Sequence, residues 1–324
     1  MLPDGRRLGA HLSLATGMVK AVERAHEIGA TALQVFGDNP TAWRRRAEPP
    51  AELPAFRERL AALDIKPVAI HASYLINLAG PERDFFERSI GLLTEELRAA
   101  PGFEARYVNV HIGSHRDTSV AAGTARLADG VARVLAEVED TPDAARLVLE
   151  NSSGSGFGLG TSVSELADIA DAIAARGVAE RRIGFCIDTA HAWGAGVDLS
   201  TAHGVDGFLA EFDERLGLDR LVMVHLNDSK SERGSRADRH EHLGAGRIGA
   251  AGLARVLTHP GLARTTYVLE TPGMDEGYDA INVARAYDLA AGRPLPDLPP
   301  EAMTMRGSRA RTGPAEPTPT GAAS

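Results

Sequence analysis

Six apolar runs in this chain each close on a histidine or a carboxylate: Val68-Ala69-Ile70-His71, Val108-Asn109-Val110-His111, Leu147-Val148-Leu149-Glu150, Phe185-Cys186-Ile187-Asp188, Val222-Met223-Val224-His225 and Tyr267-Val268-Leu269-Glu270. Short runs of this kind, rich in β-branched residues, predict buried strands. One polar residue at a strand end is ordinarily a satisfied core or rim residue. Six in phase are poorly explained by coincidence. They predict a shared site, built where several strands end.

The full set of strand-like runs is Leu8–Leu14, Ala32–Phe36, Pro67–Ala72, Tyr107–Ile112, Leu147–Glu150, Ile183–Asp188, Leu221–Leu226 and Thr266–Glu270. Helical patterns lie between them. Ala21, Val22, Ala25 and Ile28 recur at three- and four-residue spacing and stop at Gly29. Thr161-Ser162-Val163-Ser164-Glu165 offers caps ahead of Leu166, Ile169 and Ile173. The gaps Phe85–Leu97 and Leu127–Val138 are each long enough for one helix. Strands alternating with helices predict a parallel α/β architecture, closed as a (β/α)8 barrel or open as a doubly wound sheet. Arg293–Ser324 is rich in Pro, Gly, Ala, Thr and Ser without apolar periodicity, and reads as a disordered tail after a domain spanning 1–292.

In a barrel the six ends converge where active sites are built. Several carboxylates buried together need a cation to pair with them. Histidine with carboxylate suits zinc or manganese. Three further candidates stand just past the strands: His191, and the pair Asp238 and His240, which share one side of an extended segment. These nine residues exceed the needs of one four-coordinate ion and suit two or three, with a carboxylate bridging. Paired metals are a common device for displacement at phosphorus.

A formal net charge of −9 runs against a general electrostatic grip on nucleic acid. Bound divalent ions would reverse that field locally. Basic residues also cluster, at Arg44-Arg45-Arg46 and at Lys230, Arg233, Arg236 and Arg239. The single cysteine, Cys186, excludes an internal disulfide. The first residues lack the apolar run of a signal peptide, and no stretch has the length of a membrane span. The expected location is the cytoplasm.

Longer motifs then stand out: Gly9-Ala10-His11-Leu12-Ser13, His71-Ala72-Ser73-Tyr74-Leu75-Ile76-Asn77-Leu78, Asn109-Val110-His111-Ile112-Gly113-Ser114-His115, Cys186-Ile187-Asp188-Thr189-Ala190-His191-Ala192, His225-Leu226-Asn227-Asp228-Ser229-Lys230 and Gly234-Ser235-Arg236-Ala237-Asp238-Arg239-His240-Glu241-His242-Leu243-Gly244. From about residue 8 to about 290 the chain resembles endonuclease IV, the family-2 abasic-site endonucleases. The resemblance implies a xylose-isomerase-like (β/α)8 TIM barrel holding three zinc ions, with manganese as a substitute. It implies one metal on His71, His111 and Glu150, and a second bridged by Glu150 and completed by Asp188, His225 and Glu270. A third would sit on His191, Asp238 and His240, and the catalytic carboxylates would be Glu150 and Glu270. The implied substrate is damaged double-stranded DNA, bound with the help of Tyr74, Arg44, Lys230 and Arg239. The implied reaction is attack by a metal-held hydroxide on the phosphodiester 5′ to an abasic site, leaving a 3′-hydroxyl and a 5′-deoxyribose phosphate. A monomer needing no protein partner is expected. The alternative is a metal-dependent sugar isomerase or epimerase of the same barrel class.

The chain departs from the family at two places. Ala72 stands where an acidic residue usually follows the first histidine, and Pro40 and Thr41 stand where glutamine and arginine are common. That arginine helps to fill the gap left by an extruded nucleotide; Tyr74 matches the family's stacking tyrosine. Other signals are set aside. Gly244-x-Gly246-x-x-Gly249 has the letters of a dinucleotide fingerprint but follows a charged loop and reads as a turn. Gly154–Gly160 reads as a flexible turn, Cys186 as packing, and His26, His203 and His259 as surface residues. His11 is a candidate for supporting a ligand or contacting phosphate.

Overall fold

The computed structural model describes residues 2, 4–141, 143–274 and 276–304. Eight parallel strands close into a barrel: β1 (Leu8–His11), β2 (Ala32–Val35), β3 (Val68–His71), β4 (Ala105–His111), β5 (Arg146–Glu150), β6 (Ile183–Asp188), β7 (Leu221–His225) and β10 (Thr266–Leu269), with β10 hydrogen-bonded back to β1. Closure selects the barrel over the open sheet. Between β7 and β10 a two-stranded hairpin pairs β8 (Asp228–Ser229) with β9 (His240–Glu241) in antiparallel fashion.

The side-chain period of two explains why the strands read as apolar throughout yet end on polar groups. One set of alternate positions, including Val108, Val110, Leu147, Leu149, Phe185, Ile187, Tyr267 and Leu269, packs outward in the main core beneath the helices. The other set faces the barrel axis. There Ala69, Tyr107, Val148, Cys186, Met223 and Val268, with Val222 added where the β6–β7 register shifts, form a second, smaller apolar cluster. Two residues further along β3, β5, β6 and β7 the inward side chains are His71, Glu150, Asp188 and His225. The barrel thus has an apolar lower layer and a polar upper layer.

The helices form the outer ring: α1 (Met18–Glu27), α2 (Leu53–Ala62), α3 (Arg83–Ala99), α4 (Val120–Ala136), α5 (Val163–Ala174), α6 (Thr189–Gly194), α7 (Ala202–Leu216), α8 (Gly249–Thr258) and α9 (Tyr278–Ala290). The Thr161–Glu165 signal is an N-terminus: Ser162 accepts from the Glu165 amide at 3.2 Å, and Glu165 reaches back to the Thr161 amide at 2.9 Å.

The expected tail boundary at 293 is corrected. Leu295 packs against the core, Ala302 is fully buried, and the Ala302 carbonyl accepts from His242 Nε2 at 3.0 Å. Arg285 donates to the Pro296 carbonyl. The segment lacks apolar periodicity because it docks by isolated contacts and, among the described residues, forms only one short 3-10 turn, Ala302–Thr304. Residues 305–324 of the expected tail lie outside the described residues.

Candidate metal centre

Strand geometry delivers the first ligands. On the last residues of β3, β4 and β5, the donor atoms of His71, His111 and Glu150 lie within 4.8 Å of one another; so do those of Glu150, Asp188 and His225. Glu150 belongs to both groups. Its Oε2 is 3.7 Å from His71 Nε2 and 3.5 Å from His111 Nε2, while Oε1 is 3.5 Å from His225 Nδ1. Glu270, one residue past β10, puts Oε2 at 3.3 Å from the same His225 nitrogen.

A third group, Asp188, His191 and His240, meets the same limit. Its last two members are not on barrel strands and need their own supports. Asp188 caps α6, accepting from the His191 amide at 2.9 Å, and so brings His191 over the mouth. His240 starts β9. Asp238 lies between the two imidazoles, 3.2 Å from His191 Nε2 and 3.1 Å from His240 Nε2. The loop that carries it is held at its base by Asp228, whose buried carboxylate accepts from the amides of Ser229, Gly244, Gly246, Ile248 and Gly249. A Cβ on Gly246 would stand 2.5 Å from Asp228 Oδ1, so only glycine fits. The glycine pattern there wraps a carboxylate of the protein itself. At its tip the loop is tied to α6: Trp193 Nε1 donates to the Ser231 carbonyl at 2.9 Å, and Arg236 N to Gly194 O at 2.9 Å.

Each of four ligand histidines spends one ring nitrogen on the protein. His71 Nδ1 meets Ala72 O at 2.8 Å, His191 Nδ1 meets Asn151 O at 3.0 Å, His240 Nδ1 meets Glu270 O at 2.8 Å, and His225 Nε2 meets Gln34 Oε1 at 3.0 Å. The other nitrogen then faces the centre, as metal-binding histidines require. The missing acidic residue at Ala72 is answered here, since the backbone carbonyl of Ala72 orients His71. Asn109 and Asn227 steady the carboxylates, donating to Glu150 at 2.6 Å and to Asp188 at 2.8 Å. Sequence reading did not single out these asparagines or Gln34. Asn109 and Gln34 share the inward phase of the ligands, and that was the available signal.

The residues fit divalent cations. Glu150 Oε1, His225 Nδ1 and His240 Nε2 are buried with no hydrogen-bond partner, and all three aim at the cluster. Burial alone would raise Glu150, Asp188, Asp238 and Glu270, yet the surrounding imidazoles hold Glu150, Asp238 and Glu270 well below the usual carboxylate range and lower Asp188 as well. Against the opposing effect of burial, Asp188 and Asp238 push His240 up to about 10.

Above the ligands opens a cavity of about 480 Å³, bounded by Tyr74, Asn77, Arg116, Ser155, His191 and Asp238 among others. Tyr74 is 44% exposed, with its ring 5.5 Å from that of His71. Phe157 is 61% exposed beside the cavity wall. Its segment was expected to be a flexible turn; instead Ser114 bridges to Gly158, and the His115 amide donates to Phe157 O at 3.1 Å. The arginine triplet divides. Arg44 is exposed, Arg45 turns inward to pair with Glu96, and Arg46 pairs with Asp38 at 3.2 Å. Lys230 lies 3.8 Å from Glu241, and Arg239 is exposed.

A family model described as a xylose isomerase-like TIM barrel matches residues 22–291. The probable endonuclease 4 of Methanoculleus marisnigri is 38% identical over 283 residues, covering 87% of this chain and 98% of that protein. The chain belongs to the endonuclease IV family. The probable endonuclease 4 of Halothermothrix orenii, at 37% identity, covers 86% of this chain and 99% of itself. The solved endonuclease IV of Thermus thermophilus superposes with a TM-score of 0.75 at 38% identity, over 88% of this chain and 99% of that one. Membership in the endonuclease IV family makes the chain a hydrolase that acts as a DNA-repair endonuclease. A D-psicose 3-epimerase from Clostridium cellulolyticum, at 12% identity and a TM-score of 0.61, shares the barrel alone. No helix among the described residues is long and apolar enough to cross a membrane.

Proposed function

We propose that this endonuclease hydrolyses the phosphodiester 5′ to an abasic site in duplex DNA, leaving a 3′-hydroxyl and a 5′-deoxyribose phosphate, and that it does so with three zinc ions. The observation that carries the reading is the convergence of potential ligands on one mouth: seven in three mutually close groups that share Glu150 and Asp188, with Asp238 beside His191 and His240 and Glu270 beside His225. His71, His111 and Glu150 would hold one ion, Glu150, Asp188, His225 and Glu270 a second, and His191, Asp238 and His240 a third. Such ions supply positive charge to the oxygens of a phosphodiester under displacement and acidify water.

The chain's own residues do the rest. Glu150 and Glu270 keep negative charge at the inner edge of the centre and leave the cavity side open to a phosphate. Tyr74 offers a ring face at the cavity, suited to stacking on a base. Arg44 and Arg239, both exposed, and Lys230 would supply the positive charge for backbone phosphates of a duplex. Extrusion of a nucleotide costs least where no base remains to be unstacked, which favours an abasic site. Incubating a duplex oligonucleotide that carries one abasic analogue, then analysing both product ends, tests the proposal. Cleavage 5′ to the lesion with a 3′-hydroxyl is expected. An intact lesion strand under zinc-replete conditions, with epimerisation of a free sugar instead, would overturn it.

A further inference from the structure

Two barrel strands end without a ligand. At the level where the others present metal-binding groups, β1 and β2 present His11 and Gln34, paired in register. Gln34 is fully buried, and its amide makes three contacts at once. Nε2 is 2.8 Å from Glu270 Oε1 and 3.0 Å from His11 Nδ1; Oε1 is 3.0 Å from His225 Nε2.

The assignment of each atom follows from one of them. An ionised carboxylate can only accept, so the amide nitrogen must face Glu270. The amide oxygen then faces His225, which must donate from Nε2. Its Nδ1 is left bare, 3.3 Å from Glu270 Oε2 and 3.5 Å from Glu150 Oε1, without a hydrogen-bond partner. A flipped amide would set oxygen against carboxylate and lose the bond to Glu270. We infer that Gln34 is a positioning residue for the metal held by His225 and Glu270: one side chain sets the ring nitrogen that His225 offers and the rotamer in which Glu270 offers its second oxygen. The inference rests on the metal centre proposed above. It gives a use to the two strands that bear no ligand, because a neutral amide can brace a carboxylate and an imidazole together where a charged side chain would compete with the ion.

Zinc binding, read independently of DNA cleavage, tests this. The full-length protein is loaded with zinc and titrated with a chelator while retained ions are counted by native mass spectrometry. Gln34→Met keeps the length and removes both bonds. Its weakest-held ion is expected to dissociate about 10- to 100-fold more readily, so that it keeps one ion fewer where wild type keeps all. Gln34→Glu still accepts from His225 but repels Glu270, and it is expected not to restore the ion. Coupling separates positioning from mere packing. Gln34→Met should add almost nothing to the loss already caused by His225→Ala, yet should add fully to His191→Ala. If Gln34→Met holds zinc as wild type does, or if its effect is additive with His225→Ala, Gln34 only fills space and the inference falls. Should Gln34→Met fail to fold, Gln34→Glu decides: wild-type zinc retention by that variant refutes the role. A wild-type chain that binds no zinc would overturn the metal centre as well, which distinguishes the two failures.

Discussion

The ligands divide into those carried by barrel strands and those carried by the segments that leave the barrel after β6 and β7, and the two sets are positioned by different physics. His71, His111, Glu150, Asp188 and His225 end barrel strands, so the hydrogen-bond ladder that closes the barrel also aims them. His191, Asp238 and His240 have no such ladder. They depend on the Asp188 cap, the β8–β9 hairpin, the amide nest around Asp228, and the Trp193 and Gly194 bonds that join loop to helix. A ligand on a strand comes with the fold, whereas a ligand on a loop needs dedicated scaffolding, and that scaffolding can fail by itself.

The largest effect is expected where the two sets meet. Glu150→Gln should lower turnover on an abasic duplex by at least about a hundredfold, because a neutral amide cannot serve the imidazoles on both sides; circular dichroism should stay unchanged. Near-normal turnover would break the comparison by making the shared carboxylate dispensable. Asp228→Ala comes next. It strips an acceptor from five amides, each costing ~1–3 kcal/mol when left unpaired in a buried site. The loop-borne zinc should be lost while the strand-borne ions remain, a result that native mass spectrometry reads directly; simultaneous loss of all ions would mean the two sets are not separable. Truncation after Gly292 removes Leu295 and the Ala302 acceptor of His242, next to the loop base. Its melting temperature should drop by several degrees, at roughly 2–4 °C per kcal/mol for large domains, and an unchanged melting curve would show the segment to be ornamental. Tyr74→Ala removes no ligand, although the ring packs beside His71 and His111. Loss of one stacking contact is worth ~1–3 kcal/mol, so KM for the abasic duplex should rise roughly tenfold with kcat little changed. An equal fall in kcat would move Tyr74 into the metal machinery.

The same division explains what the sequence disclosed. All eight strands were legible, since each needs a continuous apolar run, and six ligands were legible because each stands at the end of one. His191, Asp238 and His240 were visible as residue types near a strand and were brought together only by the family resemblance, for the contacts that place them run through Asp228 and Trp193. Gln34 and Asn109 escaped notice because uncharged amides in a strand carry no signature of their own. The packed segment after residue 292 was read as a tail because irregular chain that docks by isolated contacts has no period to detect. The turn around Phe157 carries a contact that its glycines did not announce, the bridge from Ser114 to Gly158.

The inward turn of Arg45 has a consequence for how the protein answers to salt. Three adjacent arginines would be expected to displace three condensed counterions from a duplex, each steepening the plot of log affinity against log salt by about 0.9. Arg45 is already neutralised by Glu96, and Arg46 is engaged by Asp38 through both its guanidinium and its backbone amide. Only Arg44 is left to release a counterion, so the whole segment should count as about one phosphate contact. For an enzyme with a net charge of −9, the shallow slope means that ionic strength governs its search along undamaged DNA less than the triplet's letters suggest.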